Sequence, residues 1–208
     1  MSLPSFLTFT GIDARTDLIR ARELSQFYPI EWGVLLSQER QGKENRYPDD
    51  QSINFMLAED MMNFSAHLCG AYAREVIAGN DIDIDMRGFN RTQINHVSPN
   101  QETALAFGNA RGIAPIIQVR DLEFPEDEGC AMLFDRSGGR GIATTEWPKH
   151  PGDRMVGYAG GISPDNILDV LKAVDSSGPY WLDMESGLRT DDVFDLDKCE
   201  AVAKAVYG

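Results

Sequence analysis

MVGYAGGISPDNILDVLKAVDSSGPYWLDMESGLRTDD, residues 155–192, holds two short apolar runs, each ending in a glycine-bearing turn, with a helical pattern between them. Met155–Ala159 and Tyr180–Met184 read as strands, and a helix starts near Ser163-Pro164-Asp165. Strand, crossover helix and strand make a parallel unit. A glycine directly after a strand lets backbone approach a ligand closely and frees N–H groups to point at oxygens.

The same alternation extends upstream. Further strands are expected at Ser5–Thr10, Ile30–Leu36, Phe64–Cys69, Arg91–Asn95, Ala114–Val119 and Ala131–Asp135. Helical patterns fall at Asp17–Phe27, after a cap at Asp50, at Gly70–Ala78, at Pro99–Ala110 with proline in the first turn, and at Asp195–Val206. Residues 79–90 read either as a short strand or as a loop packing its isoleucines on the core. Eight strands alternating with helices, with no break in composition, predict one α/β domain over residues 1–208, a single (β/α)8 TIM barrel. A doubly wound open sheet is the alternative; the count of eight and the positions of the glycines favour closure.

Composition narrows the function. The chain has 208 residues, 42% of them hydrophobic, and a net charge of −14 from 33 acidic and 19 basic side chains. Such a surface repels nucleic acid and anionic membranes, so neither is expected as a partner, although local N–H groups and a few arginines can still hold a phosphate. No apolar run approaches the roughly 20 residues that span a bilayer. The opening MSLPSFLTF lacks the marks of a secretory signal, and Cys69, Cys130 and Cys199 are odd in number and form no CxxC pair. Both observations point to a reducing, cytoplasmic setting.

In closed α/β barrels the loops after strands seven and eight form a recurrent phosphate site. Here Gly160, Gly161, Ser186 and Gly187 stand at those positions, and Gly139 lies in the glycine-rich loop after strand six. The plainer reading is a set of tight strand-to-helix turns. Two such turns after consecutive strands favour the phosphate.

GYAGGISPDNI followed by LDMESGLRTDD resembles the C-terminal signature of phosphoribosylanthranilate isomerase, the tryptophan-pathway barrel, with its AGG(L/I)-x-P-x-N and D-V-S-S-G-V-E segments. LFDRSGGRGIATTEW is similar to the family's L-L-D segment and the F-D-W that follows it. TFTGIDARTD, GVLLSQERQGKENRYPD and RTQINH resemble K-I-C-G-I-T, G-F-x-F-x-x-x-S-x-R and V-Q-L-H-G, so the likeness runs over nearly the whole chain and is strongest after residue 131.

The resemblance implies an Amadori-type rearrangement of an aminoaldose phosphate, with a general acid to open the sugar ring and a base to take a proton from the adjacent carbon. Asp135 matches the family's acid, an aspartate ending strand six. The family's base, a cysteine ending strand one, is Thr10 here, and a threonine hydroxyl cannot usefully accept a proton near neutral pH. His67, Cys69 and Glu185 are the replacement candidates. His67 and Cys69 lie two apart on strand three and share a face. Glu185 stands where the family has a small hydroxyl residue. Arg46 matches the arginine that the family sets against the substrate carboxylate, a group guanidinium holds through two parallel hydrogen bonds. Arg40 and Lys43 make that alignment loose, and Arg120 is a second candidate. Gln93 matches the family's glutamine, while Asn95 replaces its histidine.

His67, His96, Asp135 and Asp183 all lie near strand ends, but nothing has a fixed metal-ligand spacing, so no metal and no cofactor is expected. The expected partner is a small phosphorylated molecule, and the expected assembly a monomer or homodimer. Three functions fit: an isomerase; a diverged enzyme such as an epimerase, aldolase or lyase; or a protein that binds a phosphorylated ligand without converting it. Fold alone does not choose among them.

Overall fold

A computed structural model describes residues 2–126, 129–137, 144–152 and 154–208. Eight parallel strands close into a barrel in sequence order: β1 Phe6–Thr10, β2 Ile30–Leu36, β3 Asn63–Leu68, β4 Arg91–Ile94, β5 Ala114–Val119, β6 Ala131–Asp135, β7 Val156–Ala159 and β8 Tyr180–Met184. Pairing of β1 with β8, Leu7 opposite Leu182 and Phe9 opposite Met184, closes the ring and excludes the open sheet.

Six helices follow strands: α1 Leu18–Phe27, α2 Asp50–Leu57, α3 Ala71–Ile77, α4 Gln101–Arg111, α5 Ile167–Ala173 and α6 Leu196–Tyr207. Their starts are set by short polar side chains that accept from the first free N–H groups. Asp17 accepts from Ile19 and Arg20, Asn100 from Thr103, and Asp195 from Asp197 and Lys198. The cap of α2 is Asp49, which accepts from Ser52 N, and Asp50 is the first helical residue. Pro99 lies ahead of the α4 cap, and α5 begins three residues after Pro164. Residues 79–90 contain no strand; they form a loop that buries Ile82, Met86 and Phe89.

No helix follows β5 or β6 among the described residues. Aromatic rings cover that side of the barrel instead. Trp147 meets Phe134 at 6.0 Å and Tyr158 at 5.8 Å, and Tyr158 also meets Phe124 and Tyr180, each at 6.0 Å.

Alternate strand residues point into the barrel. Its lower interior is apolar around Ile116, Leu133 and Trp181, and Ala159 tops this cluster. Gly157 makes room there, since a Cβ would lie 2.3 Å from Trp181 Cε2. At the strand N-termini Arg91 holds Glu31 through two bonds of 2.7 Å, with its guanidinium over the Trp181 ring at 4.4 Å. Burial alone would raise the Glu31 carboxyl, but Arg91 outweighs it and holds the group below its ordinary value. The upper interior, at the strand C-termini, is polar.

Candidate functional site

A cavity of about 280 Å³ opens at the C-terminal ends of the strands. Its floor carries Thr10 and His67, and Gly33 is what lets them lie side by side. A Cβ on Gly33 would stand 2.5 Å from Thr10 Oγ1 and 2.9 Å from His67 Nε2. Thr10 Oγ1 donates to Asp183 Oδ1 at 2.7 Å. His67 Nε2 sits 3.1 Å from Ser65 Oγ, and burial pushes the imidazole down to about 4, so it is neutral at physiological pH.

Asp135, at the end of β6, lines the cavity on its other side. It accepts from Ser137 N at 3.0 Å, Ser137 Oγ at 2.7 Å and Gln118 Nε2 at 2.9 Å. Arg120 donates at 3.3 Å to the oxygen of the same Gln118 amide. Arg120 has no ion pair, and its buried Nε has no hydrogen-bond partner among the described residues. Register places Asp135 beside Ala159 and Ala159 beside Asp183. The two carboxylates therefore flank a methyl group on one layer of the barrel. Burial pushes the Asp183 carboxyl up to about 8; the Thr10 bond opposes this, and Glu31, Asp135 and Glu185 add to it.

Arg46, on the loop after β2, reaches across the mouth and donates to Glu185 Oε1 at 3.0 Å and through Nε to Asp192 at 3.2 Å. Asp192 is presented by a tight hairpin between β9 (Arg189–Thr190) and β10 (Val193–Phe194). Both turn residues, Asp191 and Asp192, have positive φ, as a two-residue turn of this hand requires. Burial raises the Glu185 carboxyl, against the pull of Arg46 and Arg189. Arg40 donates to Tyr47 Oη at 2.9 Å.

Cys69 accepts from Asn95 Nδ2 at 3.3 Å, and burial raises its thiol, which stays protonated. Gln93 in turn donates to Asn95 Oδ1. His96 bonds the Ser98 backbone and lies outside the cavity wall.

The turns after β7 and β8 meet at the remaining side. Gly160 and Gly161 have φ of 128° and 63°, conformations side chains rarely adopt. Gly187 begins the approach of the two turns: a Cβ there would be 2.2 Å from Ile162 O, so only glycine lets them touch. The N–H groups of Gly160, Gly161, Ser186 and Gly187 donate to no group among the described residues. Gly160, Gly161 and Ser186 line the cavity, Gly187 sits behind them, and Gly139 lies outside the described residues.

Of the polar side chains that line the cavity, the sequence singles out no role for Tyr47, Gln118 or Ser137, and it offers Asp183 only as a metal-ligand candidate that is set aside. For Gln118 and Asp183 the signal was present as period-two polarity running off the strand ends: Gln118 with Arg120 just past β5, and Asp183 with Glu185 just past β8. Among the described residues no group of three or more His, Cys, Asp or Glu side chains is placed to hold a metal ion, and no helix is long and apolar enough to cross a membrane.

Fold and cavity together place the chain among (β/α)8 barrel proteins, with its cavity at the C-terminal face where barrels of this kind carry their sites. Residues 93–205 match the family model of N-(5'phosphoribosyl)anthranilate (PRA) isomerase, and the chain belongs to that family. Among solved structures it is similar to N-(5'-phosphoribosyl)anthranilate isomerase from Pyrococcus furiosus, at a TM-score of 0.62 and 15% identity over 97% of this chain and 98% of that one. The enzyme from Thermococcus kodakaraensis gives 0.61 and 16%, over 98% and 99%. A phosphoribosyl anthranilate isomerase in complex with reduced 1-(o-carboxyphenylamino)-1-deoxyribulose 5-phosphate gives 0.58 and 15%, over 96% of each chain. No curated protein sequence matches significantly.

Proposed function

We propose that the cavity isomerises a phosphorylated aminoaldose to its aminoketose. The observation that carries this reading is the pairing of a strand-six aspartate with free backbone N–H groups on the adjoining strand ends, within one cavity. The phosphate would sit on Gly160, Gly161, Ser186 and Gly187, where fixed N–H dipoles need no reorganisation to receive an anion. Asp135 would give a proton to the ring oxygen; the C1–O bond breaks toward that oxygen, and the nitrogen lone pair forms the C1=N bond. Gln118 and Ser137 hold the Asp135 carboxyl in place.

A second reading has its own support. Arg46 is held by Glu185 and Asp192, whereas Arg120 has no ion pair among the described residues. That arrangement favours a diverged enzyme whose substrate directs any second acidic group toward β5 rather than toward Arg46.

The test is a fluorescence assay on phosphoribosylanthranilate generated in place, with Asp135→Asn beside the wild type. Loss of the acid is expected to lower kcat by about 100-fold or more, with phosphate affinity kept. Equal turnover by both proteins would remove Asp135 from the reaction. No turnover by the wild type would move the assignment to the second reading, whose substrates a screen of phosphorylated amines and sugars would find.

A further inference from the structure

Thr10 leaves the proposed isomerase without its expected base, and the candidates named from sequence are each compromised. The His67 imidazole is buried with so low a proton affinity that it makes a poor base, the Cys69 thiol stays protonated, and Glu185 is tied to Arg46. We propose that Asp183 is the catalytic base, with Thr10 positioning it, so that the hydroxyl of β1 orients the carboxylate of β8 that removes the substrate's C2 proton. This rests on the isomerase reading above.

The geometry is specific. Thr10 Oγ1 donates to Asp183 Oδ1 at 2.7 Å, while Oδ2 has no hydrogen bond among the described residues and the side chain lines the cavity. Asp135 lies two strands away across Ala159, roughly 10 Å at the usual strand spacing. A sugar carbon chain lying over the Ala159 methyl would have its ring oxygen toward one carboxyl and its C2 hydrogen toward the other. Gly33 is what admits a β1 hydroxyl to this floor.

The step balances within the site. Asp183 takes H from C2; the C–H pair becomes the C1=C2 double bond, and the C1=N π pair returns to nitrogen, giving the neutral enaminol. Asp183 then returns the proton to C1 as the C2 hydroxyl loses its own to solvent, leaving the ketone. Burial supports the role, since a carboxyl near 8 has a proton affinity close to a free thiol's, about 8.5, and is a stronger base than an ordinary carboxylate. Its surroundings are Thr10 on β1, Glu31 on β2, His67 on β3, Asp135 on β6 and Glu185 just past the end of its own strand. The only hydrogen bond among the described residues that favours its ionised form comes from Thr10.

The experiment is the pH–rate profile of wild type, Asp183→Asn, Asp183→Glu and Thr10→Val on phosphoribosylanthranilate, with inorganic phosphate binding by calorimetry as a check that each variant folds. The base must be ionised, so wild-type kcat is expected to climb through about pH 8. Asp183→Asn should lower kcat about 100-fold or more with KM and phosphate affinity within about threefold. Asp183→Glu should recover part of the rate. Thr10→Val removes a donor to the charged form, so its ascending limb should move to higher pH. An active wild type whose Asp183→Asn variant keeps kcat within about threefold overturns the role of Asp183 and leaves the isomerase standing. A wild type that binds phosphate but turns nothing over overturns both.

Discussion

Glu185 and Arg46 meet across the mouth of the barrel, where an anion held by Arg46 stands beside any ligand in the cavity. That anion is here the chain's own carboxylate, beside the turn proposed to receive the phosphate. At about 4 Å two charges in partly wet protein interact by several kcal/mol, so a half-buried carboxylate here opposes an incoming phosphate. Glu185→Ser, which restores a small hydroxyl, is expected to tighten inorganic phosphate binding about tenfold, or about 1.4 kcal/mol. Calorimetry at low salt reads this directly, and the gain should shrink as salt screens the charge. An unchanged Kd would mean that the phosphate does not bind near Glu185.

At the scale of elements, the wall over β6 and β7 is aromatic where neighbouring strands have helices. Trp147 is its keystone, bridging Phe134 and Tyr158. Trp147 is only half-buried, so Trp147→Ala should lower unfolding free energy by about 2 kcal/mol, less than a fully buried aromatic would. Urea denaturation tests this; a loss under about 1 kcal/mol would show that the rings close over the gap. The same wall shows where sequence reading stops. Strands were legible to within a residue or two because buried parallel strands are short apolar runs between turns. The stretches after β5 and β6 had no helical period to find, and rings such as Trp147 and Phe124 cover strands through contacts distant in sequence. Local competition moved the α2 cap from Asp50 to Asp49. That Asp135, Gly160, Gly161 and Ser186 face one cavity was legible because each lies at a strand end. Asp183 was not, since its assignment depends on Thr10, 173 positions away in the chain. Nor does the sequence show that Arg46 is tied to Glu185 and Asp192.

For the molecule as a whole, the buried cavity groups set how stability varies with pH. Asp183 has its pKa raised by folding, from an ordinary value near 3.9 to about 8. The native state then holds the extra proton, so this contribution is complete below about pH 4 and is lost as pH rises through 8. His67 has its pKa lowered by burial, from about 6.5 to about 4. Its contribution is complete above about pH 6.5 and is lost as pH falls toward 4. The two slopes oppose each other between about 4 and 6.5, where each is worth about 1.4 kcal/mol per pH unit, and they nearly cancel. Above 6.5 the His67 slope is gone and the Asp183 slope remains, with the net charge of −14 acting in the same direction. Unfolding free energy from urea titrations is therefore expected to fall by about 2 kcal/mol between pH 6.5 and 8. Asp183→Asn keeps an acceptor for Thr10 but binds no proton, so the variant should lose most of this slope and be more stable than wild type at pH 8. His67→Gln should instead flatten the acid side. Parallel curves for wild type and Asp183→Asn would show an Asp183 carboxyl that titrates as it does in the unfolded chain. An ordinary carboxylate of that kind would lack the proton affinity that suits it to take hydrogen from carbon, so the stability curve bears on the base without any substrate present.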